Sequence, residues 1–225
     1  MKLRSIAAFA LAAALTASPA IAKKKEAPAP APAPTPMSAA VDSNPESDSA
    51  NVLALDLSNG GRVLIRLVPQ WAPNHVERIK TLAQQGFYNG VIFHRVIEGF
   101  MAQTGDPKGT GEGGSTLPDL KAEFNYMPHV RGAVSMARTN EPDTANSQFF
   151  IVFYPRFSLD HKYTVFGRVI AGMDTVDAIE RGEPPANPTK VVQASLYSEH
   201  KARPAAPAPA PAAITADMLS NSKPN

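Results

Sequence analysis

Short apolar-rich runs recur through the middle of this chain, and the first two alternate with a period of two, the pattern of strands. Leu53, Leu55 and Leu57 mark one face of a segment Val52–Leu57, and Val63, Ile65 and Leu67 mark a face of Arg62–Val68. Between them stands Ser58-Asn59-Gly60-Gly61, and Asn-Gly readily takes the positive φ angles of a tight turn, so the two segments are expected to form a hairpin. The period then changes. Val76, Ile79, Leu82 and Ala83 form a helical stripe that begins after Ala72-Pro73 and stops at Gly86. Strand-like runs follow at 91–96, 132–137, 148–153, 164–169 and 191–197. A second short helix fits Met173–Arg181, with Met173, Val176 and Ile179 inward and Gly182 closing it. Many short strands and only two helices predict a mainly β barrel or sandwich. No strand-helix-strand alternation supports a parallel sheet.

The ends of the chain carry other patterns. Lys2 and Arg4 precede an apolar run from Ile6 to Leu15, and Ala20-Ile21-Ala22 has the small-x-small form of a signal-peptidase site. Residues 1–22 are therefore expected to be a secretory signal cleaved after Ala22. The apolar run falls short of the roughly 20 residues of a membrane span, so no stable membrane insertion is expected. Residues 23–50 lead from three lysines through Ala-Pro repeats into a Ser/Asp/Asn/Glu stretch and are expected to be a disordered, semi-rigid linker. A second Ala-Pro run begins at Pro204, and 201–225 is expected to be a disordered tail. A single folded domain, 51–200, remains between them, long enough for a sizeable core.

Charge and cysteine content narrow the classes. Lys+Arg number 22 and Asp+Glu 20, and removal of the signal takes Lys2 and Arg4, leaving 22 − 2 = 20 against 20. No basic stripe interleaved with aromatics is present, so nucleic acid is not an expected partner. With no cysteine, disulfides cannot hold an exported fold together, and the core must. The histidines His75, His94, His129, His161 and His200 show no metal-ligand spacing, and no metal or other cofactor is expected. Ser158, Asp160 and His161 are sequence neighbours, which does not make a triad, and no Gly-x-Ser-x-Gly elbow exists. Gly105–Gly114 lacks the Gly-Lys-Ser/Thr of a phosphate cradle and reads as a surface loop. His94, in an apolar run, is read as a hydrogen-bonded core histidine.

The most informative stretch is Phe93 to Asp106, which sets Arg95 and Gln103 among large apolar residues around Gly99. It offers no cysteine, serine or paired carboxylates. Chemistry performed there would bind and polarise, without a covalent intermediate. Taken singly, Arg95 would more often be a strand-surface arginine, Phe100, Met101 and Phe150 core residues, and Gln103 and Gln148 polar surface.

Together these residues resemble the signature of the cyclophilins, the peptidyl-prolyl cis-trans isomerases. Gly132-Ala133-Val134-Ser135-Met136-Ala137, Asn146-Ser147-Gln148-Phe149-Phe150-Ile151 and Leu159-Asp160-His161-Lys162-Tyr163-Thr164-Val165-Phe166-Gly167 continue the resemblance in family order. It covers roughly 52–197 and is nearest to the bacterial exported subgroup. The resemblance implies an eight-stranded antiparallel closed barrel capped by two α-helices. It implies that Arg95 is the catalytic arginine and that Gln103 holds substrate backbone. Phe100, Met101, Phe150 and Leu159 would wall the substrate proline, with Ala137 and Gln148 in the neighbouring groove. Three positions depart from the better-known eukaryotic pattern: Tyr163 replaces a pocket histidine, Arg138 an asparagine, and Ser158, next to Phe157, a tryptophan. Arg138, Phe157 and Tyr163 are counted with the substrate-binding candidates.

The expected function is isomerisation of X-Pro bonds in unfolded or partly folded exported polypeptides, by a monomer in the periplasm. Such rotation must break the partial double bond of the amide, a barrier of about 18–20 kcal/mol. A guanidinium aimed at the proline nitrogen would weaken amide resonance, and arginine carries its charge at any working pH. The rival expectation is a non-catalytic module that grips proline segments with the same groove.

Overall fold

A computed structural model describes residues 38–205. The expected signal 1–22, linker residues 23–37 and tail residues 206–225 lie outside the described residues. Eight strands form one antiparallel sheet: β1 (Val52–Leu57), β2 (Arg62–Leu67), β3 (Arg95–Ile97), β4 (Met101–Thr104), β5 (Ala133–Met136), β6 (Phe149–Val152), β7 (Val165–Ala171) and β8 (Val191–Leu196). Their order across the sheet is β3-β4-β6-β5-β7-β2-β1-β8. Helix α1 (Pro73–Gln84) and the short α2 (Met173–Asp177) complete the fold.

The predicted hairpin is β1–β2, with Leu53 opposite Ile65 and Leu55 opposite Val63. The sheet curls into a half-barrel. Its end strands β3 and β8 are not joined by a ladder; segment 90–96 spans the gap with single bonds, Gly90 N–H to Val191 O and Phe93 N–H to Thr189 O. This is why only Arg95 and Val96 of the expected 91–96 run are strand, in a β3 that continues to Ile97. Strand β4 was not separable by pattern from the glycine turn before it. The second helix stops at Asp177 instead of Arg181. There the Arg181 guanidinium turns back to donate to Asp177 O at 2.6 Å, satisfying a terminal carbonyl that another helical turn would have used.

The period of two explains the core. Leu53, Leu55, Leu57, Val63, Ile65, Phe149 and Ile151 point into the barrel, where Val76, Ile79 and Leu82 of α1 and Val176 of α2 meet them. Each such side chain contributes roughly 1.5–3 kcal/mol when removed from water. β1 is buried on both faces. Part of its outer face is covered by segments expected to be unfolded. Arg62 grips the buried Asp56 through two bonds at 2.7 and 2.8 Å, with Arg203 alongside, so the expected tail 201–225 begins with residues held against the domain.

The same correction applies to residues 38–50 of the expected linker. They lie across the domain, anchored by Arg66 of β2. The residue is 5% exposed, and its guanidinium donates to Asn44 O at 2.6 Å, Asp48 O at 2.7 Å and Asp42 O at 3.2 Å. Trp71 Nε1 donates to Ser38 O, and Tyr197 Oη to Glu46. A planar five-donor cation can serve several carbonyls at once, which a polar composition does not disclose. Arg66→Ala is expected to free residues 38–48 to fast amide exchange and to lower stability by about 3 kcal/mol, read by hydrogen exchange and urea unfolding. Unchanged protection of 38–48 would contradict this.

Candidate functional site

The antiparallel register builds the site. β3 and β4 are joined through Glu98-Gly99-Phe100, with Gly99 at φ 67°, and place Arg95 directly opposite Gln103. β4 pairs with β6 so that Gln103 is opposite Phe150, and β6 with β5 so that Phe150 is opposite Ser135. Arg95, Gln103, Phe150 and Ser135 thus form one row across four strands, on the face turned away from the barrel interior. The next row on that face brings Ile97, Met101 and Val152 together. The outer face is therefore apolar too. A second cluster forms there from Met101, Phe150, Val152, Ala133, Val165, Trp71 and Met127, with Phe100, Leu159 and Tyr163 at its edge.

Where that cover stays open, a cavity of about 120 Å³ remains, lined by Arg95, Phe100, Met101, Gln103, Ala137, Arg138, Phe150, Leu159 and Tyr163. All nine were sequence candidates. Gln148 stands apart from it and lines an adjoining cavity of about 430 Å³ with Gln103, Gly111, Gly113, Ala137 and Arg138. Phe157 is not among the lining residues; its ring is 63% exposed. The turn Phe157–Leu159 directs Leu159, not Phe157, at the cavity.

Hydrogen bonding orients the two amides. Gln148 Nε2 donates to Gly111 O and Gly113 O at 2.9 and 2.8 Å. Carbonyl oxygens accept only from donors, so Gln148 Oε1 must face the other way, where it accepts from Gln103 Nε2 at 2.8 Å. The Oε1 of Gln103 is thereby left as an acceptor beside Arg95. Arg95 Nε donates to Glu183 at 2.7 Å; both side chains are partly exposed, so this pair orients more than it stabilises.

The group that holds this arrangement is not among the sequence candidates. Asp106 is fully buried in the glycine-rich loop and accepts from the backbone N–H groups of Lys108, Thr110 and Gly111. Burial raises its pKa, but the combined backbone donors, Gly113 included, outweigh that and hold it at about 2. The surface loop is thus cinched around a carboxylate, and it presents the two carbonyls that orient Gln148. An Asp followed by four glycines in eight positions was the available signal.

A buried pair backs the pocket wall. His129 Nδ1 donates to Asp160 at 2.8 Å, its Nε2 lies 3.2 Å from Ser135 Oγ, and its ring stacks on Phe150. Burial lowers the His129 pKa, partly offset by Asp160. The His-Asp contact therefore joins Asp160 to His129 and not to its neighbour His161, which takes a left-handed φ of 60° and packs on Tyr126. Ser135 is fully buried, so this Ser-His-Asp constellation has no access to substrate. His94 is buried, but neither of its ring nitrogens has a hydrogen-bond partner among the described residues, contrary to the expected bonded core histidine. Among those residues no cluster of His, Cys, Asp or Glu could hold a metal.

The folded-state pKa of Asp106 lies below the ordinary 3.8, so its contribution to stability is present above pH ~4 and is lost as pH falls toward 2. The contribution is about 2 kcal/mol. Acid unfolding of the wild type should steepen across that window. Asp106→Asn should remove the pH dependence there and destabilise the protein by a similar amount at neutral pH. A variant as stable as wild type at pH 7 would contradict the role.

Comparison with known proteins agrees with the geometry. The family model for cyclophilin type peptidyl-prolyl cis-trans isomerases matches residues 52–196. A "Probable peptidyl-prolyl cis-trans isomerase" of Brucella suis is 46% identical over 178 residues, covering 72% of this chain and 90% of the relative. The rat "Peptidyl-prolyl cis-trans isomerase-like 3" is 46% identical, over 54% of this chain and 77% of its own. The crystal structure of cyclophilin AquaCyp293 from Hirschia baltica superposes with a TM-score of 0.63 at 29% identity, covering 71% of this chain and 82% of that one. A Cryptosporidium parvum cyclophilin type isomerase, solved in the presence of the dipeptide Ala-Pro, gives 0.60 at 27% identity, over 64% and 98% of the two chains.

Proposed function

This chain belongs to the cyclophilin-type peptidyl-prolyl cis-trans isomerases and is an isomerase of X-Pro bonds; we propose that it acts on exported polypeptides and that Arg95 drives the rotation. The observation that carries the mechanism is the row in which Arg95 and Gln103 stand side by side above the apolar cavity. The proline ring sits against Phe100, Met101, Phe150 and Leu159, with Tyr163 at the edge. An Arg95 N–H, oriented by Glu183 on the Nε side, donates to the proline nitrogen. That holds its lone pair out of amide resonance and lowers the rotational barrier. Gln103 accepts a substrate backbone N–H through its free Oε1, fixing one side of the bond while the other turns. No bond is made to the enzyme, and the rate gain comes from a preorganised site that favours the twisted state.

Arg95→Ala is expected to cut cis-trans exchange of a short X-Pro peptide by about 10²–10³-fold with the fold intact, measured by exchange NMR at catalytic enzyme concentration and by circular dichroism. Full retained activity would overturn the assignment. Wild-type binding without accelerated exchange would favour a proline-gripping module.

The export reading rests on Lys2, Arg4, the apolar run Ile6–Leu15 and Ala20-Ile21-Ala22. It places the enzyme in the periplasm, on chains still folding after translocation. Mass spectrometry of the protein recovered from its native periplasm should find Lys23 as the first residue; an intact Met1 terminus in the cytoplasmic fraction would refute it.

A further inference from the structure

Beside the proline cavity lies a group of exposed aromatic residues that the isomerase site does not use. Asn125 is buried, and its side-chain amide donates to Trp71 O, Val165 O and Glu123 O at 3.0, 2.9 and 3.1 Å. That anchor turns the flanking residues outward. Phe124 is 40% exposed and Tyr126 79% exposed, the latter the most exposed large apolar side chain among the described residues. Neither is needed to fill the core.

Their neighbours tie them to the site. The Arg138 guanidinium lies 4.6 Å from the ring centre of Tyr163 and 5.9 Å from that of Phe124, bridging a cavity wall to an exposed ring. Its donors are occupied by Lys162 O, Thr139 O and Asn140 O, so it acts as a rigid strut and keeps little capacity for a new ion pair. Tyr126 meets His161 edge to face at 4.9 Å, two residues beyond the cavity residue Leu159. An aromatic ledge therefore runs from the rim of the proline cavity through Arg138 to Phe124, and the Tyr126–His161 pair lies two residues along the chain from Phe124 and from Tyr163.

We propose that this ledge is a secondary docking surface for an aromatic or large apolar side chain of the substrate polypeptide, a few residues from the proline. The proposal rests on the isomerase reading, because the occupant is the chain whose proline fills the cavity. Continuity with that cavity favours this occupant over any other. Rigid aromatic surface gives contact at small entropic cost, and a guanidinium already packed on rings presents a flat face for another ring. Polypeptides that are still unfolded expose such side chains, so the ledge would select unfolded segments over X-Pro bonds in polar loops.

Two peptides and two variants test this. One peptide is a short Ala-Ala-Pro-Ala, ending near the cavity; the other is a longer peptide with Phe or Trp placed two to four residues from the same proline. Phe124→Ser and Tyr126→Ser are exposed substitutions, and Tyr126 bears on no cavity residue. By exchange NMR, both variants should turn over the short peptide as wild type does. Each should raise KM for the aromatic-flanked peptide about three- to tenfold with kcat unchanged. Equal KM values for the longer peptide in wild type and Tyr126→Ser would overturn the proposal. So would a preference of the wild type for acidic over aromatic flanks, which would make Arg138 a charge reader. So would a dimer in sedimentation that Tyr126→Ser dissolves, which would make the ledge an interface between copies. Failure of the isomerase reading itself would show separately, as wild type that does not accelerate the short peptide.

Discussion

The registers of β3, β4, β6 and β5 are the constraint on which the site depends. Antiparallel pairing sets Arg95 opposite Gln103, Gln103 opposite Phe150, and Phe150 opposite Ser135. Side chains alternate faces along a strand, so a slip of one residue would send Arg95 into the barrel and Phe149 out of it. Both outcomes are prohibitive: one buries an unpaired charge and the other exposes a large ring. The interior residues Val96, Ala102, Phe149 and Ile151 thus hold the functional row in place without touching substrate.

Because this sheet is apolar on both faces, it needs two covers. The interior is covered by the curl of the sheet and by α1. The exterior is covered by the Trp71–Met101–Phe150 cluster, and the proline cavity is the part of that cover left open. Binding and stability therefore draw on one set of residues. Phe150 is at once the neighbour of Gln103, a cavity wall and the ring on which His129 stacks. The polar half of the site is determined just as tightly. Asp106 gathers the loop, the loop carbonyls orient Gln148, and Gln148 leaves Gln103 one defined acceptor. Each step follows from matching donors to acceptors, since the two ends of an amide side chain cannot exchange roles.

Residues 38–50 show the opposite relation between composition and structure. Polar, acidic and proline-containing, they carry no periodicity that would announce a folded segment. They are ordered by what they lie against, since Arg66 supplies donors to three of their backbone carbonyls.

Local periodicity disclosed seven of the eight strands, the β1–β2 hairpin and α1, and the resemblance to the cyclophilins named the nine side chains that meet at one cavity. The tertiary structure alone decided the rest. It stopped α2 at Asp177, turned Phe157 to solvent, paired Asp160 with His129 instead of letting it stand beside His161, and folded the glycine loop around Asp106. Each of these depends on partners distant in sequence or on which way a side chain points. A one-dimensional pattern carries the period of a strand, but not the identity of the group that waits across the sheet.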